Sequence, residues 1–132
     1  MSWSRVKQQS IKADIDAWCD EMGIEHYTIN DKGEIDVSGD VSFTNHDIKE
    51  LPYKFGRVTG FFSLTSNPNL TSLKNCPDFV NNWFSCDECK NLESLEGCPK
   101  EVGQSFYCND CKRKFTEKEV RSLCKVKRNV VN

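Results

Sequence analysis

The sequence has 132 residues, of which 37% are hydrophobic and 29% are charged, and its formal net charge is −2. This composition is that of one globular domain with a modest core, so residues 1–132 are taken as a single domain. The charge gives no overall basic field for nucleic acid. MSWSRVKQQSIKADID lacks the apolar stretch of a secretory signal, and no apolar run reaches membrane-spanning length. We therefore expect a cytoplasmic protein without membrane contact, whose eight cysteines are thiols or metal ligands.

The N-terminal part predicts a helix followed by a hairpin. Apolar residues over positions 4–22 fall largely on one helical face, and Gly23 can end the helix. Two β-prone runs, Tyr27–Ile29 and Ile35–Val37, flank a turn-rich stretch and predict a hairpin. We expect residues 1–39 to cap one end of the structure that follows. The apolar helix face comprises Val6, Ile11, Ile15, Trp18, Cys19 and Met22.

Three segments then align at a spacing of 22 residues. They read VTGFFSLTSNPNLTSLKNCPDFV, VNNWFSCDECKNLESLEGCPKEV and VGQSFYCNDCKRKFTEKEV, beginning at Val58, Val80 and Val102. Such a period predicts a solenoid, because one coil cannot bury its apolar face without neighbours. The equivalent positions are Phe62, Phe84 and Phe106; Leu64, Cys86 and Cys108; Asn67, Cys89 and Cys111; Leu70 and Leu92; Leu73 and Leu95; and Cys76 and Cys98. A weaker upstream copy places Asn45, Ile48 and Leu51 in register with Asn67, Leu70 and Leu73.

The unit V-x-x-x-F-x-(L/C)-x-x-(N/C)-x-x-L-x-x-L resembles the leucine-rich repeat. The resemblance covers about residues 40–115 and implies an α/β solenoid of three to four coils of about 22 residues, with one short strand in each coil. Phe62 and Leu64 would point inward, and the Asn/Cys position would turn the chain and bond its backbone. Pro77 and Pro99 favour an irregular or 3₁₀ return arm over a full helix. The wording NLTSLKNCP and NLESLEGCPKEVG also resembles small repeat proteins of bacteriophage and bacterial genomes.

The C-terminal part, residues 116–132, predicts a second cap. Thr116 and Glu119 have the spacing of a capping box, with a helix continuing to about Lys125. Val120, Leu123 and Cys124 could close the core. We expect residues 125–132 to be frayed.

Two Cys-x-x-Cys pairs leave two interpretations open. Cys86 and Cys89 are separated from Cys108 and Cys111 by 18 residues, the spacing of a four-cysteine zinc site. The repeat alone also produces this spacing, because each cysteine occupies a position that Leu64 or Asn67 fills one coil earlier. We favour buried thiols without a cofactor and keep zinc as the alternative.

The sequence offers no catalytic constellation. His26 and His46 are the only histidines, and no phosphate-binding loop, nucleophile elbow or metallohydrolase helix is present. We therefore expect a protein that is not an enzyme.

A binding surface is predicted on the strands. If Phe62 and Leu64 point inward, the alternate residues of each strand point outward and form one face. Exposed aromatic side chains on such a face are candidate anchors for a partner protein. The predicted partner-binding residues are Phe61, Ser63, Thr65, Trp83, Ser85, Asp87, Tyr107 and Asn109, with Ser105 beside them. The alternative is that a cap covers these aromatics as extra core.

Two functions from different classes follow. The first is a non-catalytic protein-binding module. The resemblance to phage repeat proteins implies a phage-encoded factor that binds and inhibits or redirects a host defence or regulatory protein. The second is a zinc-stabilised nucleic-acid-binding protein that uses a basic C-terminal region. A homodimer through the first solenoid edge, near residues 37–43, stays open. The basic residues are Lys112, Arg113, Lys114, Lys118, Arg121, Lys125, Lys127 and Arg128.

Overall fold

The computed structural model describes residues 5–132, with side chains from residue 9 onward. Helix α1 spans Arg5–Glu21, and Gly23 follows it in the left-handed conformation with φ of 74°. Strands β1 (Tyr27–Ile29) and β2 (Ile35–Val37) pair in antiparallel fashion. The predicted helix and hairpin are both present, while Ser4 and the side chain of Val6 lie outside the described residues.

After the hairpin, the chain winds into a β-solenoid of about four turns whose coils each contribute two short strands. All strand pairs between coils are parallel. Sheet A joins β1 and β2 to β4 (Phe55–Val58), β6 (Phe79–Val80), β8 (Glu101–Val102) and β10 (Lys125–Val126). Sheet B joins β3 (Val41–Ser42), β5 (Phe62–Ser63), β7 (Phe84–Ser85), β9 (Phe106–Tyr107) and β11 (Val130–Val131).

The expectation of one strand per coil is therefore wrong. Val58, Val80 and Val102, which the sequence marked only as repeated apolar positions, belong to a second ladder and are buried. A short bend then redirects the chain into sheet B. Each strand is so short that the period-two pattern from which a strand is usually recognised cannot develop.

The repeat positions form inward rows, as the alignment predicted. Phe62, Phe84 and Phe106 are fully buried, and neighbouring ring centroids lie 6.2 and 5.0 Å apart. Leu70 with Leu92 and Leu73 with Leu95 line the return arm, which has neither helix nor strand. Stacking of like side chains removes each coil's apolar face from water, which a single coil could not achieve.

Asn67 joins two coils from inside the protein. Its buried amide Nδ2 donates to the carbonyls of Phe43, at 2.9 Å, and Leu64, at 2.8 Å. Its Oδ1 accepts from the backbone N–H of Ile48 at 3.2 Å. The predicted role of this position, bonding the backbone at the turn, is confirmed.

The strand and the turn of the upstream copy are shifted by one residue from the sequence alignment, whereas Leu51 is buried as Leu73 is, at the aligned spacing of 22. Asn45 and Ser66 are both left-handed, with φ of 59° and 60°, and Glu88 and Asp110 repeat this conformation. The strand register agrees, since Val41 pairs with Phe62 at a spacing of 21 residues. Asn45 is therefore equivalent to Ser66 rather than to Asn67.

The C-terminal residues continue both sheets, so the expectation that residues 125–132 are frayed is wrong. Helix α2 spans Glu117–Leu123, and the Thr116 hydroxyl accepts from the backbone N–H of Glu119 at 3.1 Å. The helix ends before Lys125 because Cys124 is extended and the chain enters β10. Strand β11 then accepts bonds from β9.

The N-terminal helix packs on the first coil. The ring of Trp18 lies 5.7 Å from Phe43, 5.7 Å from Tyr53 and 5.9 Å from Phe55 between centroids. Strand β1 covers β2, so the solenoid edge expected at residue 37 is closed in sheet A, and β3 is the first strand of sheet B. Pairing of β3 with a second copy stays a prediction. Within residues 5–132, no helix is long and apolar enough to cross a membrane.

Candidate binding face

The outward side chains of sheet B form three rows, which we call the outer face of sheet B. The register of β3, β5, β7 and β9 places equivalent residues side by side. The first row is Asp40, Phe61, Trp83, Ser105 and Asn129; the second is Ser42, Ser63, Ser85, Tyr107 and Val131; the third is Thr44, Thr65, Asp87 and Asn109. All eight predicted partner-binding residues therefore lie on one surface.

The three aromatic side chains contact one another. The rings of Phe61 and Trp83 stack with centroids 4.2 Å apart and planes 6° apart. Tyr107 meets Trp83 edge-on, with centroids 6.1 Å apart and planes at 88°. Each of the three is half-buried. Their mutual contacts hold a small aromatic cluster in place on a fixed ladder.

The aromatic contacts of Trp18 in helix α1 are with other rings. Trp18 packs against Phe43, Tyr53 and Phe55, which belong to the core and the first coil. In the described part of the chain, the aromatic partners of Trp83 are Phe61 and Tyr107 alone. These contacts favour a solvent-facing cluster over an extension of the core.

The serines of the middle row are less accessible than the sequence predicted. Ser63 and Ser85 are only 2% and 3% exposed, so they do not offer free hydroxyls to a partner. Row neighbours cover them and form a chain of hydroxyl hydrogen bonds across three coils. Its links join Ser42 to Thr44 at 3.1 Å, Thr44 to Ser63 at 3.0 Å, Ser63 to Thr65 at 3.0 Å and Thr65 to Ser85 at 2.7 Å.

The hydroxyl chain leads to a positioned carboxylate. Ser85 accepts from the backbone N–H of Asp87 at 3.2 Å. Oδ1 of Asp87 accepts from the backbone N–H of Asn109 at 2.6 Å and from its Nδ2 at 3.1 Å. The carboxylate of Asp87 is thus held in one orientation beside Tyr107's row.

Several residues of this surface were missed by the sequence analysis. Ser42, Thr44 and Asp40 belong to the first coil, where the 21-residue step hides their equivalence. On sheet A, the side chain of Phe79 is 37% exposed, and the Arg57 guanidinium lies 4.8 Å from the centre of its ring. To predict that Phe79 lies on the outside, the sequence analysis would have had to recognise the second strand of each coil.

The four cysteines proposed as alternative zinc ligands occupy ladder positions. Cys86, Cys89 and Cys108 are buried, and Cys111 is half-buried. The Cys89 thiol donates to the carbonyl of Leu64 at 3.2 Å, and the Cys111 thiol donates to that of Cys86, also at 3.2 Å. Among the described residues, no three or more His, Cys, Asp or Glu side chains are grouped to hold a metal ion. The thiols of Cys89 and Cys111 thus donate to backbone carbonyls, as the amide of Asn67 does in the preceding coil.

The thiols differ in acidity. The pKa of Cys111 is lowered, and the largest cause is its side-chain interaction with Cys86. The pKa of Cys86 is raised well above its ordinary value. The interaction with Cys111 is the largest cause, and burial is the second. Burial raises the pKa of Cys108 to about 12 and that of Cys89 to about 11. Cys111 is therefore the one of these four side chains whose pKa shift favours the thiolate.

The basic C-terminal region is partly neutralised by ion pairs. Four of its eight cations face acidic partners, and Arg121 also donates to the carbonyls of Val126 and Arg128 at the end of sheet A. Half of these cations are therefore paired with carboxylates of the same chain. The pairs are Lys112 with Glu93 (3.4 Å), Arg113 with Glu119, Arg121 with Glu117 (2.8 Å) and Lys127 with Glu101 (3.8 Å).

The two histidines lie on different segments, His26 between α1 and β1 and His46 after β3. Both are exposed, and the ring of His46 stands edge-on to Phe43 with centroids 6.2 Å apart.

Comparison of the chain with protein-family models, with curated proteins and with solved structures found no match. The resemblance to leucine-rich repeats and to phage proteins therefore rests on the sequence motifs alone.

Proposed function

We propose that this protein is a non-catalytic module that binds another protein through the outer face of sheet B. The observation that carries the proposal is the stack of Phe61 on Trp83, extended by Tyr107, on strands paired on both sides. Aromatic side chains dominate binding energy at protein interfaces. A cluster already ordered in the free protein loses little conformational entropy on binding.

The surroundings of the cluster also favour a protein partner. A polar rim of Thr65, Asp87 and Asn109 adjoins the aromatic side chains, the arrangement of an interface with an apolar centre. We further propose a phage-encoded factor that acts on a host protein in the cytoplasm. This proposal is supported by the resemblance of the segments NLTSLKNCP and NLESLEGCPKEVG to repeat proteins of bacteriophage and bacterial genomes.

The alternative, a zinc-stabilised nucleic-acid binder, is not proposed. Four of the C-terminal cations lie in ion pairs, which would have to be exchanged for phosphate contacts. The four cysteines have carbonyl acceptors or core contacts that account for their positions.

The test is capture of a partner from the native cell extract by wild-type protein and by the double variant Trp83→Ala/Tyr107→Ala. Phe79→Ala is the matched control, because Phe79 is an exposed aromatic residue on sheet A. We expect a partner that is retained by Phe79→Ala and lost by the double variant, with both variants folded by circular dichroism. A partner retained by the folded double variant would show that this face is not the binding surface.

A further inference from the structure

The outer face of sheet B has two charged side chains, Asp40 and Asp87, and the turn residues Glu88 and Asp110 that follow the strands are acidic as well. The five segments of sheet B, residues 40–45, 61–66, 83–88, 105–110 and 129–132, contain four charged side chains, and all four are acidic.

Outside these segments, Lys90 lies in a turn and Arg128 precedes β11. Lys112, Arg113 and Lys114 line the same groove as Asp87, Glu88 and Asp110. Lys112 pairs with Glu93 and Arg113 with Glu119, so the carboxylates of the groove keep an acidic excess.

Three of the four carboxylates lie on one flank of the aromatic cluster. Asp87 is in the third row, one row from Tyr107, and is oriented by Asn109. Glu88 accepts from the hydroxyl of Ser66 at 3.0 Å, and Asp110 is its equivalent one coil later. Trp83 and Asp87 are four residues apart along one extended segment, a span of roughly 13 Å. A single peptide segment can therefore contact both the rings and the carboxylates.

Because the proposal rests on the protein-binding function above, it specifies the chemistry of the partner. We propose that the outer face of sheet B binds a cationic, arginine-bearing segment of the partner protein, with guanidinium groups against Trp83 and Tyr107 and hydrogen bonds to Asp87 and Glu88. A guanidinium stacks on aromatic faces and pairs with carboxylates in a planar fork, which an ammonium group does not.

The same charges argue against other occupants. Phosphates of a nucleic acid would approach the carboxylates of Asp87, Glu88 and Asp110, and this like-charge contact opposes binding. A purely apolar peptide would cover these carboxylates without supplying a counter-charge, and their desolvation would go uncompensated. A cationic segment can stack on the aromatic rings and pair with the carboxylates at the same time.

The experiment uses three synthetic peptides of equal length, with glycine alternating with arginine, lysine or glutamate. Binding to the full chain is measured by calorimetry at low and high salt. The face variant is Asp87→Asn/Glu88→Gln, in which Asn can still accept the Asn109 bonds. The control is Glu50→Gln/Glu96→Gln, which removes the same net charge from exposed positions away from the face.

We expect the arginine peptide to bind more tightly than the lysine peptide, and the glutamate peptide not to bind. The affinity for the arginine peptide should fall about tenfold in the face variant and stay unchanged in the control. High salt should weaken the wild-type interaction.

Two results would overturn the inference. One is equal binding of the arginine peptide by the wild type and the face variant; the other is an equal loss in the face variant and the control, which would indicate net charge alone. Capture of the native partner that depends on Trp83 and Tyr107 but is unchanged in Asp87→Asn/Glu88→Gln would leave the proposed function standing and overturn only the cationic partner. Loss of the aromatic dependence would overturn the proposed function itself.

Discussion

The indole ring of Trp83 lies parallel to the phenyl ring of Phe61, which precedes it by one full coil, with 4.2 Å between the ring centroids. One residue further along the chain, Phe62 and Phe84 stack inside the core with planes 10° apart. The solenoid therefore builds an inner and an outer aromatic stack from the same coil-to-coil step. The inner stack is buried and the outer one is half-exposed, which separates their expected effects on stability and binding.

Replacement of the inner ring should cost far more stability than replacement of the outer ring. Phe84→Ala leaves a cavity in the core and should lower the free energy of unfolding by about 3–5 kcal/mol. Trp83→Ala removes a half-exposed stacking partner and should cost about 1 kcal/mol. Urea denaturation of both variants measures the difference. Equal losses would place Trp83 in the core and remove the basis of the binding face.

Asn67 should be replaceable by cysteine more readily than by alanine. Asn67→Ala leaves the buried carbonyls of Phe43 and Leu64 without the amide donor and should cost about 2–4 kcal/mol. Asn67→Cys supplies a thiol, the donor that Cys89 uses one coil later, and should lose at least about 1 kcal/mol less. Asn69→Ala, at an exposed position, is the control and should change stability by less than about 0.5 kcal/mol. Equal costs for both replacements of Asn67 would contradict the donor role.

The last strand should be as well ordered as the middle coil. The amides of Phe106 and Cys108 each donate to carbonyls of the final coil at 2.9 Å. Their hydrogen exchange should be slowed to an extent similar to that of Phe84, which donates to Ser105 at 3.1 Å. Hydrogen exchange followed by NMR measures all three. Rapid exchange at Phe106 and Cys108 with protection at Phe84 would show that the C-terminal strands fray.

Cys111 should be the first cysteine to react with an alkylating reagent. Its pKa is lowered by the thiol of Cys86, and its side chain is half-buried. Cys98 is also half-buried, but burial raises its pKa to about 11, so it holds little thiolate at neutral pH. Iodoacetamide labelling followed by peptide mass spectrometry should show a fast event that Cys111→Ser removes and Cys98→Ser leaves unchanged. Earlier labelling of Cys98 would be inconsistent with the geometry.

Stability should decline at alkaline pH under reducing conditions. Burial raises the folded-state pKa of Cys124 and Cys108 to about 12 and that of Cys98 to about 11, above the value of 9.0 for an unperturbed thiol. The unfolded chain therefore loses these protons first, so the free energy of unfolding falls as the pH rises from about 9 towards 12. Urea titrations across this range measure the slope.

Two cysteine variants serve as controls for this pH dependence, because the two thiols contribute to the free energy of unfolding with opposite sign as the pH rises. Cys124→Ala should make the decline shallower, because it removes a group with a raised pKa. Cys111→Ala should not, because the pKa of Cys111 is lowered and its thiolate favours folding as the pH rises. A steeper decline in Cys124→Ala would refute the assignment.

The 22-residue period was enough to predict the solenoid, its inward rows and the shared outer surface of Phe61, Trp83 and Tyr107. A period records which residues occupy the same place in successive coils, so equivalent side chains must stack once the coils do. The helix and hairpin before the repeats followed from local signals, the apolar spacing around Ile15 and the turn before Ile35. These inferences need only short-range pattern and repetition.

Tertiary structure decided what depends on contacts between coils. Two-residue strands such as Phe79–Val80 carry no recognisable alternation and exist because the neighbouring coil supplies their hydrogen bonds. The burial of Ser63, the order of Val130–Val131 and the opposite pKa shifts of Cys86 and Cys111 arise in the same way. Sequence determined which residues repeat, whereas the stacking of one coil on the next determined which groups lose water and which find partners.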